Sequence, residues 1–317
     1  MDRSKLVRDI VVRGIVVRSI VVKSTVVKNI VIANNIVANK VVTNLVAKIH
    51  GIRAMLLVAA LLPALTVAAP LTFGVVPQQS ASRLAKQWGP IVAAMSEYVG
   101  EEIIFVTAPD IPTFEARLKQ GEYSFAYMNP YHFTVYNKKP GYQALVRAKD
   151  KQINGIIVVR KDSNITELSQ LSGHDLAFPS PAAFAASILT RSHLHDNGVD
   201  FNPVYVSSHD SVYLSVSRGI YPAGGGVMRT FNAMPEEIRQ QLVPLWSTKG
   251  FTPHAIAANP NVDPKLSRQV QAYLLQMDSN PLDQPLLTPL KLKGFVAADN
   301  KDWDDVRALN IDLLSQD

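Results

Sequence analysis

The sequence predicts an α/β fold made of two units, because apolar strand patterns alternate with helical patterns and this alternation begins afresh near Gly155. An apolar strand over 71–76 is followed by a helical pattern over 84–99 and by a second strand over 102–107. Consecutive strands joined by helices run parallel, since each helix carries the chain back to the same edge of the sheet. We therefore expect two units that each contain a mostly parallel sheet flanked by helices.

The first unit opens with three strands and two helices. Six apolar residues at helical spacing predict the buried face of the first helix, and these residues are Leu84, Trp88, Ile91, Val92, Met95 and Val99. Thr113 is expected to cap a second helix that ends at Gly121, because hydroxyl residues favour the start of a helix and glycine favours its end. A third strand is predicted over 123–128.

The second unit begins with strands over 155–160 and 175–178. Helices over 182–197 and 210–218 follow, and a glycine terminates each of them. A glycine-rich strand then leads to Met228. The remaining predicted elements are strands over 204–206, 242–246 and 254–258, and helices that start near Pro235, Asp263 and Trp303.

Composition excludes one class of partner. Hydrophobic residues make up 47% and charged residues 18% of the 317 residues, which is typical of a globular protein. The formal charge of +6 arises in residues 1–69, where 10 Lys and Arg accompany 2 Asp and Glu, while the rest of the chain holds 22 basic and 24 acidic side chains. A nucleic-acid-binding domain carries a basic face on its folded part, so no nucleic-acid partner is expected.

Residues 1–54 are expected to be a low-complexity extension outside the fold. From Ile10 to Asn44 the chain repeats a five-residue unit of the form Ile-Val-Val-Arg-Gly. A period of five matches neither the 3.6 residues of a helix turn nor the two of a strand, so no single face collects the valines. A β-rich adhesive tract and translated repetitive DNA upstream of the true start both remain open, and we favour the second.

Residues 55–69 have the pattern of a secretory signal peptide. Lys48, His50 and Arg53 precede an apolar stretch of about fifteen residues, which ends in small residues at Ala69. Such a stretch is shorter than the roughly 20 residues that span a bilayer. We expect cleavage near Ala69 and export to the periplasm. Because the chain has no cysteine, a lipid anchor on that residue type is excluded, and a soluble monomer is expected.

Seven short motifs follow one another along the body of the chain. They are Phe73-Gly-Val-Val-Pro-Gln-Gln-Ser80, Trp88-Gly-Pro90, Tyr127-Met-Asn-Pro-Tyr-His132, Phe178-Pro-Ser-Pro-Ala-Ala-Phe184, Ser208-His-Asp-Ser-Val-Tyr213, Ala223-Gly-Gly-Gly226 and Thr252-Pro-His-Ala255. Together, and in this order, they resemble the phosphate/phosphite/phosphonate substrate-binding proteins of ABC transporters. The resemblance covers residues 71–317. It implies a type II periplasmic-binding-protein-like fold, in which a two-strand hinge joins two lobes.

The same resemblance implies the division and the partners of the molecule. Lobe 1 is expected to contain residues 70–155 and 251–317, and lobe 2 residues 156–250. A small oxyanion or phosphonate-like molecule is expected to bind between the lobes, and closure then presents a surface to an ABC permease in the inner membrane. No cofactor is implied.

Candidate ligand-binding residues follow the carboxyl ends of predicted strands, where loops lead into helix N-termini that attract anions. They are Gln78, Gln79, Ser80, Tyr127, Asn129, Tyr131, Ser180, Ala183, Phe184, Ser208, His209, Asp210 and His254. Ser208 and Asp210 are equally consistent with helix N-cap roles. Tyr127 and Tyr131 are equally consistent with wall positions, and His254 with a hinge histidine whose hydrogen bonds are satisfied.

One loop differs from the pattern of the phosphonate-binding members. They carry a Ser/Thr-rich tract at the mouth of the lobe-2 helix, whereas this chain has Pro181-Ala-Ala-Phe-Ala-Ala-Ser187. Backbone N–H groups could still hold an oxyanion there, but Phe184 and the alanines suit a more apolar ligand equally well. A phosphonate is the ligand that the resemblance implies.

An enzyme is not expected. The chain has no G-x-S-x-G elbow and no P-loop, and Ser208, His209 and Asp210 are consecutive, so they do not easily converge as a triad. No catalytic residue and no metal ligand is predicted. Three functions remain open: the receptor of an importer, a periplasmic ligand sensor that feeds a membrane signalling protein, and an enzyme on the same scaffold.

Overall fold

The computed structural model describes Lys40 and residues 70–314. Contacts divide the chain after residue 68, and the fold lies in the unit of residues 69–317. The expected extension over 1–54, Lys40 excepted, and the expected signal peptide over 55–69 lie outside the described residues.

The strands of residues 70–314 form two separate sheets. In chain order they are β1 (Leu71–Val75), β2 (Ile103–Val106), β3 (Phe125–Met128), β4 (Gln143–Ala148), β5 (Gly155–Arg160), β6 (His174–Phe178), β7 (Phe201–Tyr205), β8 (Ala223–Val227), β9 (Leu242–Ser247), β10 (Ala255–Ala258) and β11 (Phe295–Ala297). One sheet has the order β11-β4-β10-β3-β1-β2, and the other has the order β7-β6-β8-β5-β9. We call the part built on the first sheet lobe 1 and the part built on the second lobe 2.

Each sheet contains antiparallel pairs, but most of its strands run in one direction, so the expected mostly parallel arrangement is confirmed. In lobe 1, β1 pairs parallel with β2 and β3, but β10 pairs antiparallel with β3 and β4. In lobe 2, β6 pairs parallel with β7 and β8, whereas β5 pairs antiparallel with β8 and β9. The reason lies in the chain path, because β5 and β10 are the strands by which the chain enters each lobe. They run away from the other lobe, while the strands that lead into helices run towards it.

Helices cover the faces of both sheets. In chain order the α-helices of residues 70–314 are α1 (Ala81–Val99), α2 (Ile111–Gln120), α3 (Pro130–Tyr136), α4 (Thr190–Asp196), α5 (His209–Ser217), α6 (Met228–Asn232), α7 (Glu236–Arg239), α8 (Pro264–Gln276) and α9 (Asp304–Arg307). A π-helix (Phe184–Leu189) runs directly into α4, and 3-10 helices cover Leu168–Leu171, Gln284–Leu290 and Asn300–Trp303. Within the same residues, no helix has both the length and the apolar character needed to cross a bilayer.

Helix α1 buries the face that the sequence predicts, since all six of the apolar residues at helical spacing are buried. Helix α2 begins at a different cap from the one expected. Asp110, not Thr113, is its N-cap, and the Asp110 carboxylate accepts the Thr113 N–H at 2.8 Å. A carboxylate at this position accepts the free N–H and also offsets the helix dipole, so it is preferred over the hydroxyl.

Two chain segments, 149–154 and 248–254, connect the two sheets. Ile153 and Phe251 form an antiparallel bridge in which the N–H of each donates to the carbonyl of the other, at 2.9 and 3.1 Å. Beside it, the Thr248 N–H donates to the Gly155 carbonyl at 2.9 Å. The expected two-strand hinge is therefore present, and paired backbone groups hold its two strands together.

Candidate ligand-binding site

Loops from both lobes meet where strands end. In lobe 1 these loops follow β1 and β3, and in lobe 2 they follow β6, β7 and β8. The His209 N–H donates to the Gln78 carbonyl at 3.0 Å, and the Asn129 side-chain amide donates to the Ala182 carbonyl at 3.3 Å. Because each of these bonds joins one lobe to the other, the structure shows the lobes closed.

A charged contact joins the two lobes at one edge of their interface. The buried carboxylate of Asp210 accepts the Ser80 N–H at 3.4 Å and lies 3.4 Å from the guanidinium of Arg83. Burial raises the pKa of Asp210, although Arg83 and the Ser80 N–H oppose the rise. Asp210 therefore connects helix α5 of lobe 2 to the first turn of α1 in lobe 1.

Arg229 of lobe 2 brings a positive charge to the interface between the lobes. Its guanidinium donates to the Gln78 side-chain oxygen at 2.7 Å, again across the lobes. Burial raises the pKa of Tyr127, and the positive charge of Arg229 opposes this rise. The same charge adds to the lowering of the pKa of His209 and of His254. We call Tyr127, His209, His254 and Arg229 the Arg229 cluster.

Both histidines of the Arg229 cluster are neutral near neutral pH. Burial, helped by the Arg229 charge, lowers the pKa of His209 to about 3. Burial likewise lowers the pKa of His254 well below its ordinary value, and Arg229 adds to the effect. A neutral imidazole can donate a hydrogen bond from one nitrogen and accept at the other. The cluster therefore combines one fixed cation with neutral donors.

His254 is held in place by aromatic packing. Its ring stacks on that of Tyr127 with centroids 4.8 Å apart, and the ring centroids of Tyr127 and Trp88 are 4.6 Å apart. The Nε2 atom of His254 is buried and has no hydrogen-bond partner among the described residues. A buried polar atom without a partner costs roughly 1–3 kcal/mol, so this atom is a candidate contact for a ligand.

Two other predicted residues also keep buried polar atoms without partners. The hydroxyl of Ser180 and the side-chain amide nitrogen of Gln79 form no hydrogen bond within residues 70–314. Both residues are buried, and each lies in a loop that follows a strand, β6 for Ser180 and β1 for Gln79.

Three predicted polar residues serve as helix N-caps. Ser80 caps α1 by accepting the Arg83 N–H at 3.4 Å, and Ser208 caps α5 by accepting the Ser211 N–H at 3.1 Å. The side-chain oxygen of Asn129 accepts an N–H in the first turn of α3 at 2.8 Å. For Ser208 the N-cap alternative is the one observed, whereas Asp210 lies inside α5 and faces lobe 1.

Tyr131 lies apart from the other candidates. Its hydroxyl accepts the N–H groups of Leu313 and Leu314, each at 2.8 Å. It lines a cavity of about 570 Å³ that includes Lys138, Arg307 and residues near the end of the chain. Although Tyr131 is only two residues from Asn129, the first turn of α3 directs it to this separate surface.

Phe184 fills the space in front of the lobe-2 helix. The side chain is 1% exposed and packs edge-to-face on Phe251 at 5.5 Å. Residues 182–186 join the hydrophobic core of lobe 1. What remains is a cavity of about 10 Å³, which we call the compact cavity, and it is lined by Gln78, Asn129, Phe184, His209 and their apolar neighbours. This volume is at the lower limit for one water molecule.

Glycine allows the π-helix to sit so close to the sheet. A Cβ on Gly225 would collide with the Ala186 carbonyl, and one on Gly155 with the Ala185 carbonyl. The backbone around Phe184 can therefore approach β8 and β5 only because these two positions have no side chain. This explains part of the glycine run in β8.

A much larger cavity adjoins the Arg229 cluster beside the hinge. Its volume is about 770 Å³, and we call it the hinge cavity. It is lined by Tyr127, Arg147, Ala148, Asp150, Lys151, Gln152, Ile153, Asn154, Val227, Met228, Arg229, Asn232, Thr252, Pro253, His254, Lys291, Leu292 and Asp305. Ile153 and Val227 line the compact cavity as well, so the two cavities share a wall.

Residues 73–303 match the family described as ABC transporter, phosphonate, periplasmic substrate-binding protein. This chain belongs to that family. The match confirms the resemblance that the seven motifs indicate. The phosphonate substrate-binding family consists of transport proteins rather than enzymes.

Three similar proteins each cover about three quarters of this chain. The Phosphate-import protein PhnD of Mycolicibacterium smegmatis is 21% identical over 281 residues, with 75% of this chain and 84% of the relative covered. A binding protein component of an ABC phosphonate transporter from Pseudomonas aeruginosa superposes with a TM-score of 0.71 at 15% identity, covering 77% of this chain and 86% of that one. PhnD1 from Prochlorococcus marinus in complex with methylphosphonate superposes with a TM-score of 0.69 at 16% identity, covering 76% and 98%. These likenesses establish the two-lobed fold.

Arg229 is the central residue that the sequence analysis of this phosphonate-family chain missed. It lies in the first turn of α6, directly after the glycine-rich strand β8. The available signal was its position in the first turn of a helix that follows a strand, as His209 lies in the first turn of the helix that follows β7.

Proposed function

We propose that this protein binds a phosphonate- or phosphate-like oxyanion between its two lobes and delivers it to an ABC permease in the inner membrane. The observation that carries the proposal is the Arg229 cluster, which places one cation and neutral donors where the loops of both lobes meet. The names of two relatives point in the same direction, since one is a phosphate-import protein and another was solved with methylphosphonate.

The chemistry of the Arg229 cluster suits an anion with several oxygens. A guanidinium presents parallel N–H donors that match two oxygens of a phosphonate or phosphate. His254 Nε2 and the Tyr127 hydroxyl supply neutral donors, and neutral donors hold an anion without adding a second buried charge. In the proposed complex the Gln78 side chain gives up its bond to Arg229, and the ligand takes its place.

The candidate residues take different roles in this proposal. Those that contact ligand are Gln78, Gln79, Tyr127, Ser180, His209, Arg229 and His254. Ser80, Asn129 and Ser208 orient helices by capping them, and Asp210 stabilises the closed form. Ala183 and Phe184 shape the wall, and Tyr131 anchors the end of the chain.

Closure is the step that couples binding to transport. The bonds from His209 to Gln78 and from Ser80 to Asp210 exist only when the lobes meet. A ligand held by residues of both lobes favours this closed form, and a permease can then recognise the paired rims. We propose residues 70–155 with 251–317, and 156–250, as the two moving bodies.

The cellular setting follows from the family and from the pattern of residues 55–69. We propose that the chain is exported to the periplasm, is cleaved near Ala69, and acts there as a monomer without a lipid anchor or a nucleic-acid partner. The family description, which places such proteins in the periplasm, supports this setting.

A thermal-shift and calorimetric screen tests the proposed ligand class. The purified protein is titrated with phosphate, phosphite, methylphosphonate, 2-aminoethylphosphonate and phosphate esters, with sulfate as a control. A ligand at 100 times its Kd stabilises the fold by roughly 2.7 kcal/mol, which for a domain of this size raises the melting temperature by about 5–10 °C. We expect such a shift with phosphorus oxyanions.

Arg229→Gln provides the residue-level test. Loss of the guanidinium should weaken oxyanion binding at least about 100-fold, since the charged partner of the anion is removed. Arg239→Gln, which alters an arginine outside both cavities, is the matched control and should bind normally. Stabilisation by uncharged solutes alone, or full affinity in Arg229→Gln, would refute the proposed function.

A further inference from the structure

The two cavities at the meeting of the lobes offer a ligand very different amounts of space. The compact cavity has about 10 Å³, whereas the hinge cavity has about 770 Å³. A phosphate or methylphosphonate ion has five heavy atoms and fills only a small part of the hinge cavity.

We propose that the ligand is a phosphate or phosphonate ester whose anionic group binds the Arg229 cluster and whose polar organic body occupies the hinge cavity. The inference rests on the proposed function and names its substrate class. The volume of the hinge cavity falls within the roughly 300–1,000 Å³ of ordinary small-molecule sites.

The anionic end is assigned by the wall that the Arg229 cluster shares with the hinge cavity. Tyr127, Arg229 and His254 all line it. His254 is 3% exposed, and its Nε2 has no partner within residues 70–314. A ligand oxygen at this wall would satisfy that atom and meet the guanidinium at the same time.

Other side chains of the hinge-cavity lining suit a polar body that carries negative or hydroxyl groups. Lys151 and Lys291 line the hinge cavity, and neither lies within ion-pair distance of a carboxylate in the described part of the chain. The side chains of Gln152 and Asn232 form no hydrogen bond within residues 70–314. These four side chains are therefore free to bind a ligand.

The acidic residues of the hinge cavity are already engaged. Asp150 lies 3.9 Å from Lys293, and Asp305 accepts the Thr252 N–H at 2.8 Å. With these two paired, the free lysines leave the lining cationic, which favours an ester with a charged or hydroxylated body over an apolar one.

The backbone of the hinge-cavity lining departs from ordinary geometry. Lys291 has φ of 56° and Asp150 has φ of 51°, and both residues line the cavity. The left-handed region costs a residue with a side chain roughly 1–2 kcal/mol relative to glycine. Side chains are thus kept at two positions where glycine would be less strained, as is common at ligand sites.

Calorimetric titrations with a series of ligands of increasing size test the inference. The full-length protein is titrated with phosphate, methylphosphonate, glycerol 3-phosphate, ribose 5-phosphate and AMP, and with glycerol, ribose and adenosine as unphosphorylated controls. We expect at least one ester to bind tenfold or more tightly than methylphosphonate, and the controls to bind weakly.

Charge reversal locates the organic body. Lys151→Glu and Lys291→Glu should weaken the best ester at least tenfold more than they weaken methylphosphonate. Lys86→Glu makes the same charge change on the exposed face of α1 and should affect neither ligand.

The outcomes separate the two proposals. If methylphosphonate or phosphate binds as tightly as every ester, the inference is wrong and the proposed function stands. If esters bind best but Lys151→Glu and Lys291→Glu act like Lys86→Glu, the placement of the body is overturned. If no phosphorylated compound binds, both proposals fall.

Discussion

The compact cavity and the hinge cavity lie at the same meeting of two lobes, yet they differ in size and in lining. Apolar residues of the π-helix reduce the first to about 10 Å³, while the second keeps about 770 Å³ among cationic and amide side chains. Each contains one neutral histidine, His209 in the compact cavity and His254 in the hinge cavity. The difference suggests that an apolar loop in lobe 2 changes where a ligand is held and leaves closure of the lobes intact.

Phe184→Ala should reduce the difference in volume between the two cavities, and we expect it to have the largest effect of the variants considered. Removal of a buried phenyl ring costs about 3–5 kcal/mol of stability, and it enlarges the compact cavity enough for a small oxyanion. We expect the affinity for phosphate and methylphosphonate, measured by calorimetry, to rise relative to that for glycerol 3-phosphate. Phe184→Leu keeps most of the side-chain volume and serves as the control. An unchanged affinity ratio in Phe184→Ala would show that this ring does not select ligand size.

Acid should destabilise the protein through one histidine from each cavity. Below pH 6.5 the unfolded chain protonates His209, but the folded state resists protonation down to a pKa of about 3. The pKa of His254 is also lowered in the folded state. The unfolded state therefore binds more protons than the folded state, and stability falls as the pH decreases from 6.5. Each histidine contributes at most about 1.4 kcal/mol per pH unit.

Urea unfolding between pH 7.5 and pH 4.5 measures this dependence. His209→Gln and His254→Gln should each make stability less dependent on pH in this range, while His195→Gln, which alters an exposed histidine, should not. Equal pH dependence in all three variants would mean that neither buried histidine stays neutral on folding.

Asp210→Ala should have the smallest effect and acts on closure alone. It removes the contacts of α5 with Ser80 and Arg83 without touching either cavity wall. Burial raises the pKa of Asp210, so relief of desolvation offsets part of the lost ion pair. The Arg83 side chain is 27% exposed and can be hydrated once the carboxylate is gone, so a stability change of about 1 kcal/mol or less is expected. Ligand affinity should fall three- to tenfold, since closure is weakened. Asp200→Ala, at an exposed site in lobe 2, is the control, and equal affinity in both variants would exclude this role for Asp210.

Much of the fold could be predicted because its signals are local. The buried stripe of α1 follows from apolar residues three or four positions apart, and the N-cap role of Ser208 is recognisable from its immediate context. The cap of α2 was predicted at Thr113 instead of Asp110, because both residue types favour that role and only the bond direction distinguishes them.

The candidate site was harder to predict because its contacts span the chain. Gln78 and Arg229 are 151 residues apart, and no short pattern marks them as partners. Tyr131 was grouped with Asn129 because the two are close in sequence, but they face different surfaces. Two residues that are close in sequence at the start of a helix can point their side chains in different directions.

The sequence by itself determined the α/β class, the buried face of α1 and the family, since each depends on residue order and spacing within short segments. Only the tertiary structure decided that the sheets are mixed, that Phe184 fills the space before the lobe-2 helix, and that Arg229 meets His254 beside a large cavity. The physical reason is that these features depend on which distant segments pack together, and packing is set by the shape and burial of whole elements rather than by any local pattern.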